Sequence, residues 1–359
     1  PVAISFDPAW PRACQVLELP HLLTYQPQKY PFLENLIEPF AAAGNPDRFT
    51  YYRLAGTGMF NFGDSGGEGG FTNNEDDLMV QFPLLDYLRT GRVYCFDCGQ
   101  DTARHYLEVD FCEYSTNPRL NGGLYAHTQH HFEGMCYPSH EWSTGILTYY
   151  YLTGDERAKQ VVIRLGDHLV WWTENLMETI ALDGREAGVP LSNLVNSWKL
   201  TNDKKYLKAA RKILDAFHLK YFKLHGRLFY PYPQWGHRPD GAHHRNIEGY
   251  GDWASYHGMY HVWQATGDPD LKAVLIEMLN TALTPDAFAV NDARTMDFYS
   301  VWIYLQLTGD DSIIESLKEV IPMLLRRGGH PLRRLHFLHE LDKRGMIDER
   351  LVGSRGGVI

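Results

Sequence analysis

Tyr150-Tyr151-Leu152-Thr153-Gly154-Asp155 closes one apolar helical run and opens another, and the same ending recurs along the chain. Thr266-Gly267-Asp268 and Thr308-Gly309-Asp310 repeat the tripeptide, while Thr90-Gly91-Arg92 and Thr201-Asn202-Asp203 vary it. Glycine or asparagine takes the left-handed conformation that ends a helix, and aspartate caps the start of the next. Five such turns predict five helical hairpins built to one plan. Apolar residues recur at helical spacing on both sides of the turns. Trp253, Tyr256, Tyr260 and Trp263 precede Gly267, and Leu271, Val274, Leu275 and Met278 follow it. Alternating strand patterns are scarce apart from short stretches such as Arg227–Tyr230, so the class is all-α.

The turn markers at 91, 154, 202, 267 and 309 are separated by 63, 48, 65 and 42 residues. A bare hairpin needs roughly 35–45 residues, so the widest gaps carry insertions. In an up-and-down chain the tight turns lie at one end and the insertions at the other. Segments 54–77, 108–140, 177–192, 223–252 and 283–297 are therefore expected to converge on one face. An open solenoid and a closed ring both fit. The aromatic content of the helices and the crowding of long loops favour closure into an (α/α)6-type toroid, with 1–50 an N-terminal extension packing on the barrel, 51–330 the toroid and 331–359 a tail. The helices that begin at the loop face would form the inner ring. Their expected first residues are Asn73-Asn74-Glu75-Asp76-Asp77, Ser139-His140-Glu141-Trp142, Arg185-Glu186-Ala187-Gly188, Gly251-Asp252-Trp253 and Asn291-Asp292-Ala293-Arg294. Helix N-termini around a rim suit an anionic ligand, although the Asn and Asp residues also serve as plain caps.

With 359 residues, 44% of them hydrophobic, the chain can bury a large core. A formal net charge of −10 argues against nucleic acid or an anionic membrane as partner. No apolar run approaches the ~20 residues that span a bilayer. The start at Pro1, without a charged and apolar leader, predicts that a targeting segment was removed or never existed. No compartment or oligomeric state follows. The five cysteines, Cys14, Cys95, Cys98, Cys112 and Cys136, form no disulfide framework. Cys95 and Cys98 read as inert thiols on a helix. Gly63-Asp64-Ser65-Gly66-Gly67 mimics a serine protease loop, but an all-α chain has no place for that double barrel.

Histidine is the strongest compositional signal, with 17 copies in clusters. Tyr125-Ala126-His127-Thr128-Gln129-His130-His131 precedes His140, and a second group is His237, His243, His244, His257 and His261. Imidazole exchanges protons near neutral pH and donates to sugar hydroxyls. His257 and His261 lie four apart on one helix face, but no H-E-x-x-H accompanies them, so neither a metal nor another cofactor is expected. The candidate acids are Glu75, Asp76, Asp77, Glu133, Glu141, Glu186, Glu248 and Asp252, with Arg185 and Arg245 the cations of the same face.

The run from Asn61 to Asp167 carries Gly63-Asp64, Asn73-Asn74-Glu75-Asp76-Asp77, Leu88-Arg89-Thr90-Gly91, Ala103-Arg104-His105, Val109-Asp110, His127 and Ser139-His140-Glu141-Trp142. With the turn quoted at the outset, it resembles the α/α-toroid domain of exo-rhamnogalacturonan lyase-like proteins. Gly184-Arg185-Glu186-Ala187-Gly188 is shared more widely among toroidal sugar hydrolases and epimerases. The resemblance implies a carbohydrate-active enzyme whose partner is an oligo- or polysaccharide containing uronic acid. On that reading β-elimination comes first. Asn73, Asn74 and Arg185 would neutralise the carboxylate, His127 or His130 would take the proton, and Tyr125 or His140 would protonate the leaving oxygen. Asp76, Trp142, His243, His244, Tyr250, Asp252 and His257 would bind the sugar. The alternative is a glucuronidase-type hydrolase using two of Glu75, Asp76, Glu141, Glu186 and Asp252. A third reading is a non-catalytic glycan-binding toroid.

Overall fold

The computed structural model describes residues 80–125, 136–180, 184–226, 252–284, 298–318 and 340–345, with Tyr25, Pro27, Gln28, Glu34 and Phe337; the side chains of Asp252, Trp253 and Phe298 are outside this set. Among them are helices α1 (Phe82–Thr90), α2 (Val93–His105), α3 (Thr144–Thr153), α4 (Glu156–Asn175), α5 (Met177–Ile180), α6 (Gly184–Thr201), α7 (Lys204–Ile213), α8 (Leu219–His225), α9 (Asp252–Thr266), α10 (Pro269–Ala282), α11 (Phe298–Thr308) and α12 (Ser312–Leu317). Extended structure in this set is confined to one bridge, Phe111 with Leu124. The all-α class stands. The stretch Arg227–Tyr230 lies outside the described residues, as does most of the expected N-terminal extension and tail.

Every marker of the repeated turn is left-handed: Gly91, Gly154, Gly267 and Gly309 have φ of 69, 72, 68 and 68°, and Asn202 has 56°. In each, the marker's N–H returns to the carbonyl four residues back, as from Gly154 to Tyr150 at 2.7 Å. The threonine ahead of it has a part that the sequence reading left unassigned. Thr153 Oγ1 donates to the Tyr149 carbonyl (2.7 Å) and accepts from the Asp155 N–H (3.2 Å), so one hydroxyl spans the turn. Thr90, Thr201, Thr266 and Thr308 repeat both bonds. The aspartate then caps the next helix through an oxygen 2.9 Å from the N–H two residues on, at Asp155, Asp203, Asp268 and Asp310.

The chain divides into two compact units, Pro1–Asn175 with Asn193–Ala209, and Leu176–Ser192 with Ala210–Ile359. In the first, α1 and α2 pack together and against α3, and α3 packs on α4. Val80, Leu84, Tyr106, Phe111, Ile146 and Leu165 form part of one core. Glu34 and Tyr25 reach the first hairpin: buried Arg89 donates to Glu34 (2.9 and 3.0 Å) and to Asp86 (3.0 Å), and Arg92 donates to the Tyr25 hydroxyl (2.7 Å).

In the second unit the first helices of successive hairpins lie side by side and run in the same direction. A Cβ on Gly188 of α6 would sit 2.3 Å from the backbone of Ala254 and Ser255 in α9, and Gly258 similarly meets the Gly188 carbonyl and Leu191. Further along, Ser192 Oγ is 2.8 Å from His261 Nδ1. Between α9 and α11, the His257 ring meets Tyr299 (centroids 4.2 Å apart) and Tyr260 meets Trp302 (5.5 Å). Contacts that advance together on both partners mean parallel helices that start at the same end. These first helices are buried on most sides: Tyr299 to Leu305 of α11 are all buried. The second helices carry one apolar stripe instead, Leu271, Leu275, Met278 and Leu279 on α10, with Asp270 and Glu277 outward. That is the inner-and-outer division expected of hairpins around a ring.

Two expectations about insertions change. Ser139–Trp142 was expected to open an inner helix, but Pro138–His140 is a single 3₁₀ turn, Glu141 leaves helical dihedrals (φ −94°, ψ 86°), and α3 begins at Thr144. The 177–192 insertion is mostly helix, because α6 begins at Gly184 and includes Arg185-Glu186-Ala187-Gly188 in its first turns. Segments 54–77 and 285–297 lie outside the described residues, as does all of 227–251.

Two glycines separate conformational from steric demand. Among the described residues nothing lies within 4 Å of a Cβ on Gly154, so Gly154→Ala is expected to cost about 1 kcal/mol, the penalty of a left-handed L-residue. Gly188 has no room against a backbone, so Gly188→Ala is expected to cost ~3 kcal/mol by overpacking. Urea unfolding of both variants checks the order; equal costs would contradict the α6–α9 backbone contact.

Candidate active site

Because α6 and α9 start together, the structure brings Arg185 and Glu186 of α6 to the same end as Asp252, the first residue of α9. Arg185 and Glu186 are half-buried. A buried hydrogen-bond chain locks the two helix starts. Ser255 Oγ donates to the Gly184 carbonyl (2.9 Å) and lies 3.0 Å from His218 Nε2. Since the serine proton is committed to Gly184, His218 must donate from Nε2. Its Nδ1 is buried with no hydrogen-bond partner, and burial lowers its pKa to about 3, so the ring is neutral. Deeper in the same unit, His261 joins Ser192 to the Tyr299 hydroxyl (3.4 Å), with His257 edge-on to the Tyr299 ring. His257 and His261 do share a face, and they pack on Tyr299. Among the described residues no group of three or more His, Cys, Asp or Glu side chains is placed to hold a metal.

The first unit gathers a second polar group. Asn193 clamps the bend before α3. Its Nδ2 donates to the Glu141 carbonyl, and its Oδ1 accepts from Ser143 N–H (3.1 Å) and Ser143 Oγ (2.7 Å). Asn196 donates to Ser143 Oγ (3.1 Å) and Thr144 Oγ1 (3.2 Å). The bend carries the Glu141 side chain inward, where Oε1 lies 2.7 Å from His168 Nδ1, with side chains 0% and 1% exposed. Burial raises the Glu141 pKa against the pull of His168 and the Leu124 N–H. For His168, burial works against the charge, yet the attraction and hydrogen bond of Glu141 outweigh it and the pKa is raised. A Cβ on Gly123 would fall within 2.7 Å of both side chains and of Cys136, so this packing requires glycine.

The remaining expected site residues fall as follows. Half-buried Tyr125 donates to Cys112 Sγ (3.1 Å), and burial followed by that bond raises its pKa. His140 is buried, with Nδ1 2.8 Å from Ser139 Oγ. Trp142 is half-buried, and its carbonyl accepts from the Tyr106 hydroxyl. His127, His130, Glu75, Asn73, Asn74, Asp76, His243, His244 and Tyr250 lie outside the described residues, as do the acids Asp77, Glu133 and Glu248 and the cation Arg245. Cys95 and Cys112 are buried and Cys98 is half-buried, and none of the three is in a disulfide. Sequence reasoning passed over His168, Asn193 and His218. Each sits among buried apolar neighbours, as His168 does between Leu165 and Trp172 and His218 beside Leu214 and Phe217, and a polar residue in that position was the available signal.

The family model described as β-L-arabinofuranosidase, GH127 catalytic domain, matches residues 109–289, half of the chain. The chain belongs to that family. GH127 is a glycoside hydrolase family of (α/α)6 toroids, so the expected fold class agrees with it, as does a carbohydrate-active enzyme. The lyase resemblance is corrected: the family supports hydrolysis, the alternative reading, and gives no support to β-elimination or a uronic-acid substrate. Neither a curated protein nor a solved structure matches the chain. No helix among the described residues of this GH127 member is long and apolar enough to cross a membrane.

His218 gives the unit a signed pH response. The unfolded imidazole binds a proton below about pH 6.5 and the folded one only near 3, so acid favours unfolding through this window. A His218→Gln variant is expected to lose less stability on acidification, by ~1 kcal/mol per pH unit below 6. Denaturant midpoints of both proteins between pH 7 and 4 check it; parallel curves would contradict a neutral buried His218.

Proposed function

We propose that the protein is a glycoside hydrolase that releases L-arabinofuranose from β-linked arabinofuranosides, working at the shared start of α6 and α9. The family description supports the sugar and the bond. The observation that carries the site is the parallel start of the two helices inside the matched segment, which sets Glu186 and Asp252 on neighbouring first turns. Glycoside hydrolysis needs two carboxyl groups flanking the bond, one protonating the leaving oxygen and the other acting as base or nucleophile on the sugar. Glu186 and Asp252 take these parts, and Arg185 donates to sugar hydroxyls. Glu141, which belongs to the same list of acids, is shut away with His168 and is assigned no contact with substrate. The catalytic ring is assigned to 51–330, which encloses the matched residues.

Release of arabinose from an aryl β-L-arabinofuranoside tests this reading. Glu186→Gln and Asp252→Asn are each expected to lower kcat by about 10²- to 10⁴-fold with the helical circular dichroism unchanged. Near-normal turnover in either variant removes that residue from the chemistry. A 4,5-unsaturated uronate formed from pectic polymers, with arabinofuranosides untouched, would overturn the hydrolase assignment.

A further inference from the structure

His168 Nε2 faces two partners that it cannot satisfy together. The Trp172 indole Nε1 lies 3.0 Å away and the Arg119 carbonyl 3.1 Å away. An indole N–H only donates and a carbonyl only accepts. One ring nitrogen cannot offer a lone pair to the first while carrying a proton for the second. The other nitrogen, Nδ1, is engaged with Glu141 at 2.7 Å.

We propose that the proton count of the Glu141–His168 pair selects the partner of His168 Nε2 and thereby decides whether the turn at 117–123 is tied to α4. In the proton-poor state the Glu141 carboxylate accepts from Nδ1–H, and Nε2 accepts from Trp172. With one more proton on the pair, Nε2–H donates to Arg119, whether the other proton rests on Nδ1 or on Oε1. The titration thus belongs to the pair. The tie matters locally because the turn runs through Gly123, where a Cβ would have no room against Glu141 and His168, into Leu124 and Tyr125. It does not depend on which glycoside is cut.

The groups around the ring leave Glu141 in control. From the same stretch of chain as Glu141, the Cys136 thiol is pushed well up by burial and then by Glu141, so it stays uncharged. Arg119 presents its carbonyl. On α4 itself, Arg164 pairs with Glu113 (2.5 Å), and Asp167 takes Lys205 (2.7 Å) and the Tyr206 hydroxyl (2.8 Å). Despite burial, the carboxylate raises the His168 pKa above the usual 6.5. The tie is therefore made on the acid side of the raised folded value and is lost as pH rises through it.

The test is a pH series from 5.5 to 9 on the intact protein, reading the Trp172 indole N–H by NMR and amide exchange of 117–123 by mass spectrometry. The indole is expected to shift as it gains its acceptor, while exchange of the turn, corrected for intrinsic rate, rises about 2- to 10-fold at the same midpoint. His168→Gln should flatten both readouts. Trp172→Phe removes only the partner of the proton-poor state, and should move the exchange midpoint up by about 0.5–1 pH unit. A flat wild-type response, different midpoints for the two readouts, or an unmoved midpoint in Trp172→Phe would overturn the switch. If His168→Gln fails to fold, the Trp172→Phe shift decides alone.

Discussion

A single left-handed residue reverses the chain at each described hairpin, and the arrangement of helices follows from it. The marker ends one helix, the threonine hydroxyl before it bridges the reversal, and in four of the five turns an aspartate starts the next helix. Because this unit is short and nearly identical at each use, alternate helices recur in the same direction. Parallel first helices can then meet backbone to backbone, as α6 and α9 do at Gly188 and Gly258. Their starts fall at one end, and residues such as Arg185, Glu186 and Asp252 come together there without any sequence proximity.

Polar residues on the buried faces of these helices have nowhere to go except to one another. Asn193 and Asn196 use theirs to hold a non-helical bend, His218 uses its one proton to fasten two helix starts, and His168 faces a carboxylate that never meets water. The two histidines answer acid in opposite senses. Among the described residues His218 has no charged partner and refuses a proton, whereas His168 has Glu141 and retains one. The difference lies in the neighbour, since both rings are fully or almost fully removed from solvent.

The chemistry of the family redirects the meaning of residues that the sequence reading had gathered around a sugar acid. A lyase needs the substrate carboxylate neutralised, while a hydrolase needs carboxyl groups of its own, and the same rim of Arg, Glu and Asp can be read either way. Family membership supports the second. Within the list of acids, burial separates Glu141 from Glu186, a distinction that residue type alone does not carry.

The sequence alone determined the all-α class, the position of all five turns and the face shared by His257 and His261. Those features are local: a positive φ, a cap and a helical period are written in adjacent residues. Tertiary structure decided what touches what. Only contact between distant segments shows that Ser139–Trp142 forms a bend rather than a helix start, because the Asn193 carboxamide, 52 residues away, satisfies the Glu141 carbonyl. The pairing of Glu141 with His168 arises in the same way. Burial and partner choice depend on the whole packed unit, and no short stretch of sequence contains them.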